Sequence, residues 1–232
     1  MSMDSRAREV QAMFARIARR YNLMNRLMTA GQDVRWRRMV VALAQLPPGG
    51  QLLDLGAGTG DIAFEALHRP PLHPPLVFAA DFTLEMMRVG RKRAGGERIH
   101  WAGTDALNLP FPDESFDAVT SGFLMRNVVD PDRTLAEQFR VLRPGGRVVC
   151  LDTTPPPRSI LRPFILMHLR LVIPTLGRLV TGDAAAYRYL PASTEGFVSA
   201  DALAAKFASA GFREVGYKRL MFGTIVIHWG QK

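Results

Sequence analysis

Three glycines and three carboxylates set out the chemistry this sequence can do. Gly56, Gly58 and Gly60 follow the apolar run Gln51–Leu55 and precede a helical pattern, so LDLGAGTGD (53–61) reads as a strand-to-helix turn with Asp54 leading the glycines. Glycine suits such a turn because the backbone must bend tightly and approach a ligand with no side chain between them. In the dinucleotide fingerprint G-x-G-x-x-G the last glycine would fall at position 61, where this chain has Asp61. A carboxylate at a helix N-terminus repels a pyrophosphate. A zwitterionic methionine moiety with a sulfonium cation tolerates it. The spacing therefore favours S-adenosylmethionine over a nicotinamide dinucleotide.

The other two carboxylates sit where a nucleotide fold uses them. Asp81 closes the second apolar run, where an acid can accept both ribose hydroxyls. Asp105-Ala106 follows the third run, where an acid can hold an adenine amino group beside an apolar wall. Each has a plainer reading, because aspartate routinely caps helices and Asp81 precedes one. It is the order of glycine turn, strand–Asp and strand–Asp that selects the ligand reading.

The elements that must position these residues alternate. Gln51–Leu55, Leu76–Ala80, Ile99–Gly103, Phe116–Thr120 and Arg147–Leu151 read as buried parallel strands. Asp61–His68, Thr83–Ala94 and Pro131–Leu142 read as the helices between them, and RPGG (143–146) as a helix stop and turn. The C-terminal runs Arg213–Met221 and Thr224–Trp229, joined at Phe222-Gly223, predict an antiparallel hairpin at the sheet edge, after a helix from Ser199 to Ala210. The fold class is α/β: a Rossmann-like, mostly parallel sheet with a terminal antiparallel hairpin. Ahead of it, Phe14, Ile17, Tyr21, Met24 and Leu27 share one helical face, and a second helix runs from Asp33, a capping residue, to Leu46. Prolines at 70–75 and 155–157 predict loops.

With 232 residues, 47% of them hydrophobic, the chain can bury one α/β core. The one cysteine, Cys150, excludes a disulfide framework and reads as a buried inert thiol. A polar, arginine-rich N-terminus without a signal peptide predicts a cytoplasmic location. The net charge of +9 fits nucleic acid, an anionic membrane surface, or an arginine-biased genome with no functional meaning. His68, His73, His100, His168 and His228 have no metal-ligand spacing, so no metal is expected and none is given a role.

Nearly the whole chain resembles the UbiE/MenG/Coq5 family, the C-methyltransferases of ubiquinone and menaquinone biosynthesis. The specific stretches are YNLMNRLMTAG (21–31), LDLGAGTGD (53–61), MRNVVDP (125–131) and DAAAYRYLPAS (183–193). NLPFPDESFDAV (108–119) and RVLRPGGRVV (140–149) are shared by many small-molecule methyltransferases and discriminate little. The resemblance implies a class I S-adenosylmethionine-dependent methyltransferase fold in a single domain, with residues 1–48 as a helical lid and 155–198 as an insertion at the acceptor or lipid site. It implies cofactor binding by Thr59, Asp81, Asp105 and Ala106. A fourth family position, a serine, falls on Gly122, whose backbone alone could serve. The family's usual LEFSxP is LDTTPP (151–156) here, with a shortened acid and Thr154 for serine.

The activity implied is methylation of a ring carbon of a polyprenylated quinol, demethylmenaquinol or a ubiquinone precursor. A sulfonium methyl is already activated, so the enzyme must mainly place the ring carbon in line with it. A cation beside a ring oxygen stabilises the quinolate that makes the carbon nucleophilic. The resemblance puts Arg126 and Asn127 in the acceptor pocket, Arg126 for that stabilisation and Asn127 to orient a ring oxygen. The plainer alternatives are that Arg126 pairs with a nearby acid and Asn127 caps the helix entering at Asp130-Pro131. Tyr21 is either a lid residue whose hydroxyl reaches the acceptor or one more packing position.

The apolar stretch Phe164–Ile173, between Pro163 and Pro174, is too short to span a bilayer, which needs about 20 residues. It reads as a channel for a prenyl tail, a helix on the inner face of an anionic membrane with Arg162, Arg170 and Arg178 at headgroups, or a core or homodimer contact. Two further functions stand beside the first. One is a methyltransferase for another small molecule or for RNA, although no RNA-binding signature is present and no nucleic acid is expected. The other is a non-catalytic cofactor-binding partner, which the intact Gly56, Gly58, Gly60 and Asp81 disfavour.

Overall fold

The computed structural model describes residues 5–68, 73–181 and 183–232; the expected loop at 70–75 falls partly outside them. Seven strands form one sheet in the order β3-β2-β1-β4-β5-β7-β6. They are β1 (Gln51–Leu55), β2 (Leu76–Asp81), β3 (Ile99–Gly103), β4 (Phe116–Gly122), β5 (Leu142–Thr153), β6 (Arg213–Leu220) and β7 (Ile225–Gln231). The first five pair in parallel, while β7 runs antiparallel to both β5 and β6. This is the α/β architecture expected, terminal hairpin included. The strand order reverses between β1 and β4, and open α/β sheets bind ligands at the carboxyl ends of the strands flanking such a point.

Strands buried on both faces need helices on both sides. Helices α3 (Gln32–Leu43) and α4 (Asp61–Leu67) contribute Trp36, Val40 and Phe64 to one core layer against Leu52, Val77 and Ile227. Helices α6 (Pro131–Val141) and α10 (Ala200–Ser209) contribute Leu135, Leu203 and Phe207 to the other, against Leu53, Val119 and Val148. Helix α5 (Leu84–Arg91) follows β2. The cap of α6 is Asp130, whose carboxylate accepts from the Arg133 N–H at 2.9 Å, with Pro131 in the first turn. Asn127 therefore does not cap it.

Local details depart from expectation for physical reasons. The N-terminal helix is not continuous: α1 (Ser5–Ile17) and α2 (Tyr21–Met28) are separated by a 3-10 turn at Ala18–Arg20. A 3-10 turn has about three residues per turn, which rotates the following face. Leu27, expected inside, is 46% exposed, whereas Asn25 and Met28 are buried. Gly31, not Asp33, precedes α3, and Asp33 is buried in an ion pair with Arg37. RPGG belongs to β5, because the C-terminal strand end holds it: Gly145 N–H donates to the Lys232 carbonyl and Lys232 N–H to that of Gly146.

Pro174 does not end its helix. Helices α7 (Arg162–Met167) and α8 (Ile173–Thr181) join through a π turn at His168–Val172. The wide turn absorbs the missing proline N–H, so Arg162–Val180 is one helix of 19 residues, long and apolar enough to cross a membrane by length and composition. One side of it is committed to the protein: Leu169 and Ile173 pack with Met13, Ile17 and Met24 in a third cluster, which α9 (Ala184–Glu195) completes.

Candidate active site

Two cavities meet at the switch point. The first, of about 460 Å³, lies over the glycine turn, between the carboxyl ends of β1, β2 and β4 and helix α1. Gly56, Gly58, Asp81, Asp105, Ala106 and Gly122 line it. The turn uses left-handed backbone at Gly56 (φ 66°) and Gly58 (φ 57°), which a residue with a Cβ rarely adopts. Asp81 closes the turn from below: its Oδ2 accepts the Gly58 N–H at 2.7 Å and its Oδ1 the Thr83 N–H at 2.6 Å. Burial pushes the Asp81 carboxyl upward, and those N–H donors oppose the rise. Each oxygen still has capacity for one ribose hydroxyl. Asp105 Oδ1 accepts from Leu107 N–H at 2.9 Å, which leaves Oδ2 for an adenine amino group beside Ala106. The residues present thus suit a nucleoside. Asp81→Ala is expected to weaken S-adenosylmethionine binding by about 1–3 kcal/mol, read by calorimetry; unchanged affinity rejects the ribose role.

Other residues of the motif lie behind the cavity wall. Asp54 is buried beneath the turn, its carboxyl accepting from Ala63 N–H at 3.1 Å and the Thr120 hydroxyl at 3.2 Å. Gly60 (φ 82°) gives room to a ring, since a Cβ there would lie 2.6 Å from Trp101. The Thr59 hydroxyl donates to Asn22 Oδ1 at 2.7 Å, fastening α2 to the turn. Asp61 turns away from the cavity and pairs with Arg93 at 2.5 Å and Arg37 at 3.0 Å. Its charge is neutralised, so the repulsion argument drawn from Asp61 alone does not hold; the donor reading rests on Asp81, Asp105 and the shape of the turn. Gly122 lines the cavity, and a Cβ there would meet Ile62 Cδ1 at 2.9 Å.

The second cavity, of about 380 Å³, lies between α1, α2 and the α7–α9 insertion. Aliphatic and aromatic side chains make most of its wall. Phe14, Tyr21 and Phe123 line both cavities and form the partition between them. Arg126 opens only onto the second. Its Nη1 donates to Asp152 Oδ1 at 2.6 Å with both side chains buried, while its Nε has no hydrogen-bond partner. Pairing with an acid, the plainer alternative, is therefore present together with a position in the cavity wall. Asn127 lines the first cavity instead, its amide donating to the Phe123 carbonyl at 2.8 Å and accepting from the Tyr189 hydroxyl at 3.0 Å. These two bonds tie Asn127 to the partition and to Tyr189. Burial raises the Tyr21 phenol above its ordinary pKa, and the Asn25 side chain, Arg126 and Arg37 pull it back. Cys150 is buried and its thiol pushed far up, chiefly by desolvation, which leaves it inert.

Sequence reasoning missed three residues here. Asp152, noted only as a shortened acid, is the carboxylate that holds Arg126. Asn25 and His168 line the second cavity with Nδ2 and Nε2 buried and without partners. The π turn that starts at His168 gives no sequence signal, whereas Asn25, a polar residue among Met24 and Met28, does.

The sequence model of the ubiE/COQ5 methyltransferase family matches residues 2–232. The Ubiquinone/menaquinone biosynthesis C-methyltransferase UbiE of Desulfotalea psychrophila is 53% identical, over 96% of this chain and 90% of that protein. The Demethylmenaquinone methyltransferase of Thermus thermophilus is 44% identical, over 95% of this chain and 100% of that one. Among solved structures, a SAM-dependent methyltransferase from Thermotoga maritima has a TM-score of 0.62 at 21% identity, covering 95% of this chain and 99% of its own. The [4+2]-cyclase SpnF scores 0.69 at 16% identity, covering 96% and 94%. Such distant likenesses carry the fold and leave the reaction to the site.

Proposed function

The chain belongs to the ubiE/COQ5 methyltransferase family, and we propose that it transfers a methyl group from S-adenosylmethionine to a ring carbon of a polyprenylated quinol, with demethylmenaquinol the first choice of acceptor. One observation carries this reading: a cavity lined by the glycine turn, Asp81 and Asp105 and a second, more apolar cavity share a partition of Phe14, Tyr21 and Phe123. The apolar one has a buried arginine in its wall.

When bound, the donor supplies an activated methyl whose bond pair stays with sulfur as the carbon–carbon bond forms. The protein's share is placement and charge. Asp81 and Asp105 seat the nucleoside, and the partition brings the ring carbon against the methyl. The acceptor hydroxyl releases its proton to solvent, and Arg126 stabilises the quinolate that remains. The oxygen pair conjugates into the ring as the new bond forms. Water then takes the proton from the methylated carbon and the ring oxygen regains one from solvent, which restores the aromatic quinol. Arg126 is not the base, since a guanidinium holds its proton above a pKa of about 12. Net, quinol and donor give methylquinol, the demethylated donor and one proton.

The tail has a ready exit. Leu161, Phe164 and Phe222 line the apolar cavity and are also 45%, 66% and 72% exposed, marking its mouth. Met167, Leu171 and Leu179 extend the same exposed apolar helix. Arg170 is already paired with Glu195, which leaves Arg162 and Arg178 for anionic headgroups. These features support peripheral contact with the inner face of an anionic membrane, the tail passing from bilayer to cavity. Co-sedimentation with anionic vesicles tests this, and Phe164→Glu should reduce it.

The deciding experiment incubates the protein with labelled S-adenosylmethionine and each reduced head group, with the oxidised quinones alongside. Label is expected in the reduced acceptors only. Donor binding without transfer to any quinol would overturn the reading.

A further inference from the structure

The tip of the β6–β7 hairpin carries two costs that the fold alone does not call for. Met221 (φ 46°), Phe222 (φ 55°) and Gly223 (φ 86°) stand in succession in left-handed backbone. Hairpin tips often need that conformation, and glycine, asparagine or aspartate normally supplies it. A bulky side chain there is strained. Such a tip also suits polar residues, yet Phe222 is 72% exposed.

The strain is held from beneath. Gly223 lies against Pro157, where a Cβ would fall 2.9 Å from the proline ring. The Thr224 hydroxyl donates to the Met221 carbonyl at 2.8 Å, and the Thr154 N–H to the Thr224 carbonyl at 2.9 Å. These contacts fix the tip to the segment that follows β5. Strained residues persist only where their surroundings over-determine them, and they gather at ligand clamps.

The place of the tip says which ligand. Met221 and Phe222 line the apolar cavity, together with Leu161 and Phe164 at the start of α7. The partition, where a ring must lie to receive the methyl, is made by other residues. A prenylated ring seated there sends its tail out through the mouth that Phe222 borders. The Phe222 side chain has no hydrogen-bonding group, so what it can hold is hydrocarbon. A ring fixed by its own backbone also loses little freedom in holding a flexible chain.

We propose that Phe222 is a further substrate-binding residue, which grips the isoprenyl tail of the acceptor where it leaves the apolar cavity. This rests on the reading of that cavity as the acceptor site.

The test uses the full chain, S-adenosylmethionine and two reduced quinones with one head group, both supplied without vesicles. One carries a two-unit isoprenyl tail and the other none. Phe222→Gly removes the ring and relieves the left-handed strain, which opposes glycine's own loss of backbone freedom. Its urea midpoint should therefore stay near that of the wild type. KM for the tailed quinol should rise about tenfold, the effect of losing roughly 55 Å² of apolar contact at about 25 cal/mol per Å². The kcat, the donor affinity and the KM for the tail-less quinol should not move. Phe222→Leu, with an apolar side chain on the same backbone, should recover most of the loss. An unchanged KM for the tailed quinol in Phe222→Gly overturns the assignment, as does an equal rise for both quinols. So does a rise confined to quinol presented in anionic vesicles, which would make Phe222 a membrane contact. If the wild type methylates neither quinol, the reading of the cavity fails and takes this assignment with it.

Discussion

Asp152→Ala is expected to lower the stability of the chain by about 3–5 kcal/mol, because it breaks a buried ion pair and leaves a charge behind. Both partners are enclosed, with 5% of the Arg126 and 1% of the Asp152 side chain accessible. The carboxylate serves three donors: Arg126 Nη1 at 2.6 Å, the Arg126 N–H at 3.2 Å and the Thr153 N–H at 2.7 Å. Alanine orphans all of them. Urea unfolding measures the loss, and stability equal to wild type would show that the guanidinium finds water or another acid. Methyl transfer should fall as well, since Arg126 is then free to leave the cavity wall. The double variant Arg126→Met/Asp152→Asn separates the two effects. It leaves no buried charge, and the asparagine oxygen can still accept a backbone N–H, so this variant should be more stable than Asp152→Ala and still transfer no methyl at a useful rate.

That pair also marks where the sequence stops being legible. Arg126 follows β4 and Asp152 lies near the end of β5, and they meet because Gly122 sits opposite Leu151 in the parallel register. No local pattern encodes that register. What local patterns do encode was read well: alternating apolar runs and helical stretches gave the sheet and its hairpin, since burial on both faces leaves its mark within each segment. Asp61 shows the cost of reading locally. Beside the glycines it looks ligand-facing, yet Arg37 from α3 and Arg93 after α5 draw it away. Asn25 does leave a local mark, a polar residue between Met24 and Met28, but the turn at Ala18–Arg20 resets the phase of the apolar stripe, and only the folded chain reveals which side of α2 meets the cavity.

The second large effect is a pH dependence that originates at Asp54. Enclosure beneath the glycine turn raises its carboxyl from 3.8 to about 7, chiefly by desolvation, against the opposing Ala63 N–H and Thr120 hydroxyl. The unfolded chain ionises this group at its ordinary value. Between the two values the folded protein therefore keeps a proton that the unfolded chain has released, and stability falls as pH rises through that window. The slope is at most about 1.4 kcal/mol per pH unit, and the contribution is level above the upper value. Asp54→Asn keeps the shape, can still accept from Ala63 N–H, and has no proton to lose. Its stability relative to wild type should accordingly grow with pH, to on the order of 4 kcal/mol by neutrality. Urea unfolding of the two proteins at matched pH values reads the difference directly, so that titrations elsewhere cancel. Parallel curves would mean that the wild-type carboxyl ionises normally, through water reaching the underside of the turn. A diverging pair would tie the acidity of the leading aspartate to the fold that presents the glycines, which is why it stands behind the turn and not in the wall facing the ligand.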